Sequence, residues 1–124
     1  MIVGGAACAS DGGAGAPGAD PQAVEAAQRN PLLATWTGPY GGVPPWDRVQ
    51  PADFPEAFAI AIDLRQAEID AIANNAEPPT FENTFVPLEN AGRELRRLYS
   101  LFGVMSSNVS TPEIQAIDRE WSPK

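Results

Sequence analysis

The chain has 124 residues, a formal net charge of −8, no histidine and a single cysteine, Cys8. That length holds one domain at most, and an acidic chain repels phosphate backbones, which argues against nucleic acid as a partner. Without histidine the commonest general base and zinc ligand are missing, and a lone cysteine forms neither an internal disulfide nor a cysteine-based zinc site.

Residues 1–21, MIVGGAACASDGGAGAPGADP, are almost all Gly, Ala, Pro, Ser and Asp. Such a leader cannot bury enough apolar surface to offset chain entropy, and it is expected to be disordered. Gly5-Ala6-Ala7-Cys8 has the small-residue character of a lipoprotein cleavage site, yet only Ile2 and Val3 supply apolar bulk before it and no basic residue precedes it. Two readings stay open. Either the leader is the remnant of a signal whose start lies upstream, with Cys8 as a candidate lipid anchor and the periplasm or cell envelope as its place, or the cysteine is incidental and the protein cytoplasmic. No apolar run approaches the ~20 residues of a membrane span.

From residue 22 to 124 the pattern is all-α. Asp20-Pro21 starts a short helix through Ala23–Arg29, with proline at a position where its missing N–H does no harm. Asn30-Pro31 ends it. Pro31 to Pro51 reads as an extended strap with turns at Gly38-Pro39 and Gly41-Gly42. Its glycines lack phosphate-loop spacing. Trp36, Tyr40 and Trp46 are expected to pin the strap onto the helices behind it.

A long helix follows from about Pro51 to Asn74, with Asp53 as a candidate N-cap and a stripe of Phe54, Phe58, Ala61, Ile62, Ile69 and Ile72. A second helix lies between Thr80 and Asn108. Phe85, Leu88, Gly92, Leu95, Tyr99 and Phe102 step as the seam of an antiparallel helical pair. Thr84 as N-cap places Pro87 harmlessly in the first turn, whereas Thr80 as N-cap forces a kink. Glu89 and Arg93 have a favourable i,i+4 spacing on the polar side, which also carries Arg96 and Arg97. Leu98, Leu101, Phe102, Val104 and Met105 leave the helix end with almost no polar face, a pattern typical of burial inside a larger protein. Thr111-Pro112 starts a third helix with Ile114, Ile117 and Trp121 on its stripe.

Three stretches carry a family resemblance: NPLLATWTGPYGGVPPWDRVQPADF (Asn30–Phe54), IDAIANNAEPPTFENT (Ile69–Thr84) and FGVMSSNVSTPEIQAI (Phe102–Ile117). Together they resemble the N-terminal region of the thimet oligopeptidase and peptidyl-dipeptidase family of zinc metallopeptidases, nearest to its bacterial dipeptidyl carboxypeptidase branch. The resemblance implies a helical region that walls a deep channel admitting short peptides, and a parent that releases C-terminal dipeptides. It also implies zinc held by a His-Glu-x-x-His helix and a later glutamate. None of these has a counterpart here, so no catalytic, cofactor or metal residue carries over. The expectation is an N-terminal portion of a longer enzyme, inactive alone, with the apolar end of its second helix unenclosed.

Residue types alone add little. Glu82 and Glu89 form a drawable carboxylate pair, but acid–base work requires convergent groups, and a solvated helix face accounts for both. Ser106, Ser107, Ser110 and Thr111 have no base beside them and suit caps and turns. Tyr40 could touch a peptide, although packing is the simpler role, as it is for Trp36, Trp46 and Trp121. The alternative to the enzyme segment is a non-enzymatic helical module that binds another chain through its exposed stripes.

Overall fold

A computed structural model describes residues 18–122, so the leader, its reading as a signal remnant and Cys8 lie outside the described residues. Among the described residues there are five α-helices and no strand: α1 (Pro21–Arg29), α2 (Phe54–Ala73), α3 (Val86–Asn90), α4 (Arg93–Val104) and α5 (Pro112–Trp121).

The Asp20 side chain accepts from the Gln22 N–H at 2.8 Å and caps α1. Asn30 ends the helix and is buried. Its Oδ1 accepts from the Leu32 N–H at 2.9 Å, while its Nδ2 donates at 3.4 Å to the Asp53 carbonyl and to Glu56 Oε2. One amide thus ties the end of α1 to the start of α2. Asp53 stands at the N-cap position of α2 without a side-chain capping bond; its carbonyl accepts from Asn30.

The strap is held by other residues than its large aromatics. Leu32, Leu33 and Val49 are buried, and Trp36 packs against the core. Tyr40 and Trp46 do not pin it: Tyr40 is fully exposed and Trp46 is 47% exposed. The cause is turn geometry. Val43 N–H donates to the Thr37 carbonyl at 3.1 Å and closes a loop with Tyr40 near its apex, in the left-handed region at φ 59°. Gly42 at φ 114° allows the return, since a Cβ there would strike the Trp36 backbone.

Helix α2 buries Phe54, Ala57, Phe58, Ala61 and Leu64. Phe58 is the hub of an aromatic cluster. It lies edge-on to Phe102 (centroids 5.4 Å, 80°), 5.1 Å from Tyr99, and stacked on Trp121 at 5.5 Å and 15°. Phe102, near the end of α4, thereby meets the start of α2, while Gly92, just before α4, meets Glu68 late in α2. The two helices are antiparallel.

The region expected as one second helix is two. Thr80 is the N-cap, its hydroxyl accepting from Asn83 N–H at 3.1 Å and Asn83 Oδ1 accepting from Thr80 N–H at 2.7 Å. A widened turn over Phe81–Phe85 absorbs Pro87, which has no N–H to continue a regular ladder. After α3 the chain passes through Gly92 at φ 71° and restarts as α4. That left-handed residue resets the helical phase. Of the expected seam, Phe102 is buried and Leu95 packs against the core, Tyr99 is exposed with its ring against Phe58, and Phe85 and Leu88, before the break, are exposed; Leu98 and Leu101 are buried beside Phe102.

A second widened turn, Met105–Val109, and Ser110 at φ 44° reverse the chain into α5. Thr111 caps α5 through the Ile114 N–H at 3.3 Å. Ile114 and Ile117 are then buried in the core, where α5 packs against α2. The expectation that this end would lack cover is corrected at Leu98, Leu101 and Phe102. Val104 remains exposed.

Candidate functional site

The helix break at Ala91-Gly92 is built from both sides. Glu68 Oε2 accepts the Gly92 N–H at 2.6 Å, placing a carboxylate at the positive end of α4. Arg96 donates to the Ala91 carbonyl at 2.6 Å and the Glu89 carbonyl at 3.2 Å, satisfying orphan acceptors at the end of α3. Glu89 and Arg93, expected as an i,i+4 pair, fall on opposite sides of the break, and Arg93 donates to Asn90 Oδ1 at 3.4 Å.

Between this joint and α2 lies a groove of about 450 Å³. Ala71 and Ile72 form one wall, Val86 and Pro87 the other, with Asn83 and Asn90 among the polar lining. Those amides are engaged locally. Asn83 Nδ2 donates to the Pro78 carbonyl at 2.9 Å, and Asn90 Nδ2 to the Val86 carbonyl at 2.8 Å. The lining carboxylate, Glu68, is engaged at the joint. The groove can receive an apolar side chain; it assembles no acid–base pair.

At the other end of the pair, Arg97 latches the strap. One guanidinium nitrogen donates to the carbonyls of Leu33 at 2.9 Å and Ala34 at 3.0 Å, and the guanidinium carbon lies 4.5 Å from the Trp36 ring centroid. Burial lowers the Arg97 pKa from its ordinary value; Glu94 acts to raise it and Arg93 to lower it further. Arg97 Nε and Trp36 Nε1 are buried without a hydrogen-bond partner. The cation is met by carbonyl dipoles and an indole face. Sequence reading placed Arg97 on the polar side. Nothing in the sequence pairs this arginine with the strap.

The remaining sequence candidates stay apart. Glu82 and Glu89 are both exposed. Ser106 donates to the Gly103 carbonyl at 3.3 Å, and Ser110 Oγ accepts from Gln115 Nε2 at 3.3 Å, so both hydroxyls close local structure. Trp36 and Trp121 pack as expected; Tyr40 and Trp46 do not. Among the described residues no three His, Cys, Asp or Glu side chains converge, and no helix is long and apolar enough to cross a membrane.

Comparison with known proteins agrees with the resemblance read from the sequence. Over 93 residues, 75% of the chain, it is 34% identical to the dipeptidyl carboxypeptidase of Salmonella typhimurium and 36% identical to that of Escherichia coli. The chain is a homologue of these proteins over that stretch and spans 14% of their length. No family model and no solved structure matches it.

Proposed function

We propose that this chain is an N-terminal, channel-walling segment of a peptidyl-dipeptidase-like zinc metallopeptidase that releases dipeptides from the C-termini of short oligopeptides. Residues 22–124 are its helical region, and the catalytic residues belong to the remainder of the enzyme. The observation that carries this reading is the 34–36% identity to dipeptidyl carboxypeptidases. The antiparallel pair, with its latched strap, supports a wall: it is braced at both ends by buried or engaged polar groups.

The residues present do not fit the zinc ion of that chemistry, since the chain has no histidine and one cysteine. No hydrolytic step is assigned to them. Zinc, when bound to the enzyme, supplies the activated water and the polarised carbonyl. The wall excludes folded substrates and aligns extended ones.

The reading frame beyond Lys124 tests this. A His-Glu-x-x-His sequence several hundred residues on is expected. A stop followed by unrelated sequence would favour the second reading, a non-enzymatic helical module, which the outward-facing aromatics before α3 support. The purified chain supplied with zinc should release no dipeptide from oligopeptides; release abolished by a chelator would overturn the placement of catalysis elsewhere.

A further inference from the structure

The break between α3 and α4 is confined to two residues. Ala91 is extended at φ −62° and ψ 142°, and Gly92 is left-handed at φ 71° and ψ 28°. On either side the backbone is already helical, over Val86–Asn90 and Arg93–Val104. A glycine occupies the left- and right-handed regions about equally, so Gly92 itself favours neither a break nor a straight helix. The break is held by neighbours. Glu68 Oε2 accepts the Gly92 N–H at 2.6 Å, and Arg96 reaches back to the Ala91 and Glu89 carbonyls. In a straight helix those three backbone groups would find partners four residues away within the helix itself.

The sequence also suits the straight form. Phe85, Leu88, Gly92, Leu95, Tyr99 and Phe102 share one stripe only if the helix runs through Gly92. Helix α4 already uses its part of that stripe: Leu95 packs on the core, and Tyr99 and Phe102 meet Phe58. The contacts of Phe102 with Phe58 and of Gly92 with Glu68 set one antiparallel register. Four residues further along it, Leu88 falls opposite Ile72. Helix α2 runs beyond Glu68 to Ala73, and Ile72 forms part of the groove wall there. Pro87 is no obstacle, because the widened turn before α3 absorbs it in either form.

We propose that α3 and α4 form a two-state element: the broken form, and a continuous helix through Gly92 in which Leu88 packs on Ile72 and closes the groove between α2 and α3. Gly92 is the hinge, and Glu68 is the latch of the broken form. Elements of this kind hold a minor state at about 0.1–10% and exchange on the microsecond-to-millisecond scale. The switch belongs to the chain's own joint, so its failure and the failure of the peptidase reading are separate results.

The test is carbon relaxation dispersion on the isotope-labelled 1–124 chain, read at Ala91 and residue 92. The minor state should show helical shifts at both positions. Gly92→Ala should raise its share about tenfold, since a Cβ is penalised in the left-handed region and not in the right-handed one. Gly92→Asn should raise it less, because asparagine tolerates the left-handed region while carrying the same Cβ toward Arg65. Glu68→Gln weakens the latch and should raise the share about threefold. Adding Leu88→Ala to Gly92→Ala should undo much of the gain by removing the contact with Ile72, although Leu88 is exposed in the broken form. Unchanged signals from the middle of α2 confirm folding of each variant. The proposal is overturned if neither the wild type nor Gly92→Ala exchanges at these positions, or if the minor state has coil shifts. It is also overturned if alanine and asparagine act alike, or if Leu88→Ala leaves the gain intact.

Discussion

Arg97 joins two parts of the chain that sequence alone keeps apart. Its guanidinium donates to two strap carbonyls and covers Trp36. Replacing it with alanine removes charge-assisted hydrogen bonds and a cation–π contact, and should destabilise the protein by about 1.5–3 kcal/mol in urea unfolding. Arg97→Lys should recover only part of that, because an ammonium can donate to the carbonyls but has no planar face to lay on Trp36. Asn30→Ala leaves the buried Leu32 N–H without its acceptor and should cost about 1–3 kcal/mol by the same measurement. Neither role was legible in the sequence. A charged residue next to a helical stripe reads as solvated, and an asparagine before proline reads as a stop. What makes Arg97 structural is a pair of carbonyls more than sixty residues away, and what makes Asn30 structural is its burial between α1 and α2.

At the scale of elements, caps were legible because they are local. Asp20-Pro21, Asn74 and Thr111-Pro112 mark ends that the structure keeps. The division of the second helix was legible only as a condition attached to Thr80 and Pro87. The phase change was not, since a left-handed Gly92 needs Glu68 to hold it, and Glu68 lies on another helix. Gly92→Ala should cost about 1–2 kcal/mol, the penalty for a Cβ in the left-handed region; Arg65, whose guanidinium meets the new methyl, must also shift. Glu68→Gln weakens the bond at the start of α4 and should cost about 0.5–1.5 kcal/mol. Hydrogen exchange should quicken first in residues 80–92 for both variants, while amides in the middle of α2 stay protected.

Across the whole molecule, the core is one aromatic and aliphatic cluster around Phe58 that draws on α1, the strap, α2, α4 and α5. Phe58→Ala should cost about 3–5 kcal/mol, whereas Phe81→Ala should stay within about 0.5 kcal/mol, because only the first opens a cavity. The all-α class and the antiparallel pair were legible from periodicity. The burial of the α4 end was not, because Phe102 is covered by Phe54 and Phe58 of another helix. The outward arm was hidden too, since the same phenylalanine stripe suits a core face and an outward one. The family likeness came from unusual strings of sequence, and the comparisons agree with it over 93 residues. The most direct test of the central proposal is a chimaera in which this chain's matching stretch replaces that of the Escherichia coli relative, assayed for chelator-sensitive release of C-terminal dipeptides. The account predicts a folded chimaera that retains this release and loses much of it when Arg97→Ala frees the strap; a chimaera that folds yet releases no dipeptide would contradict it.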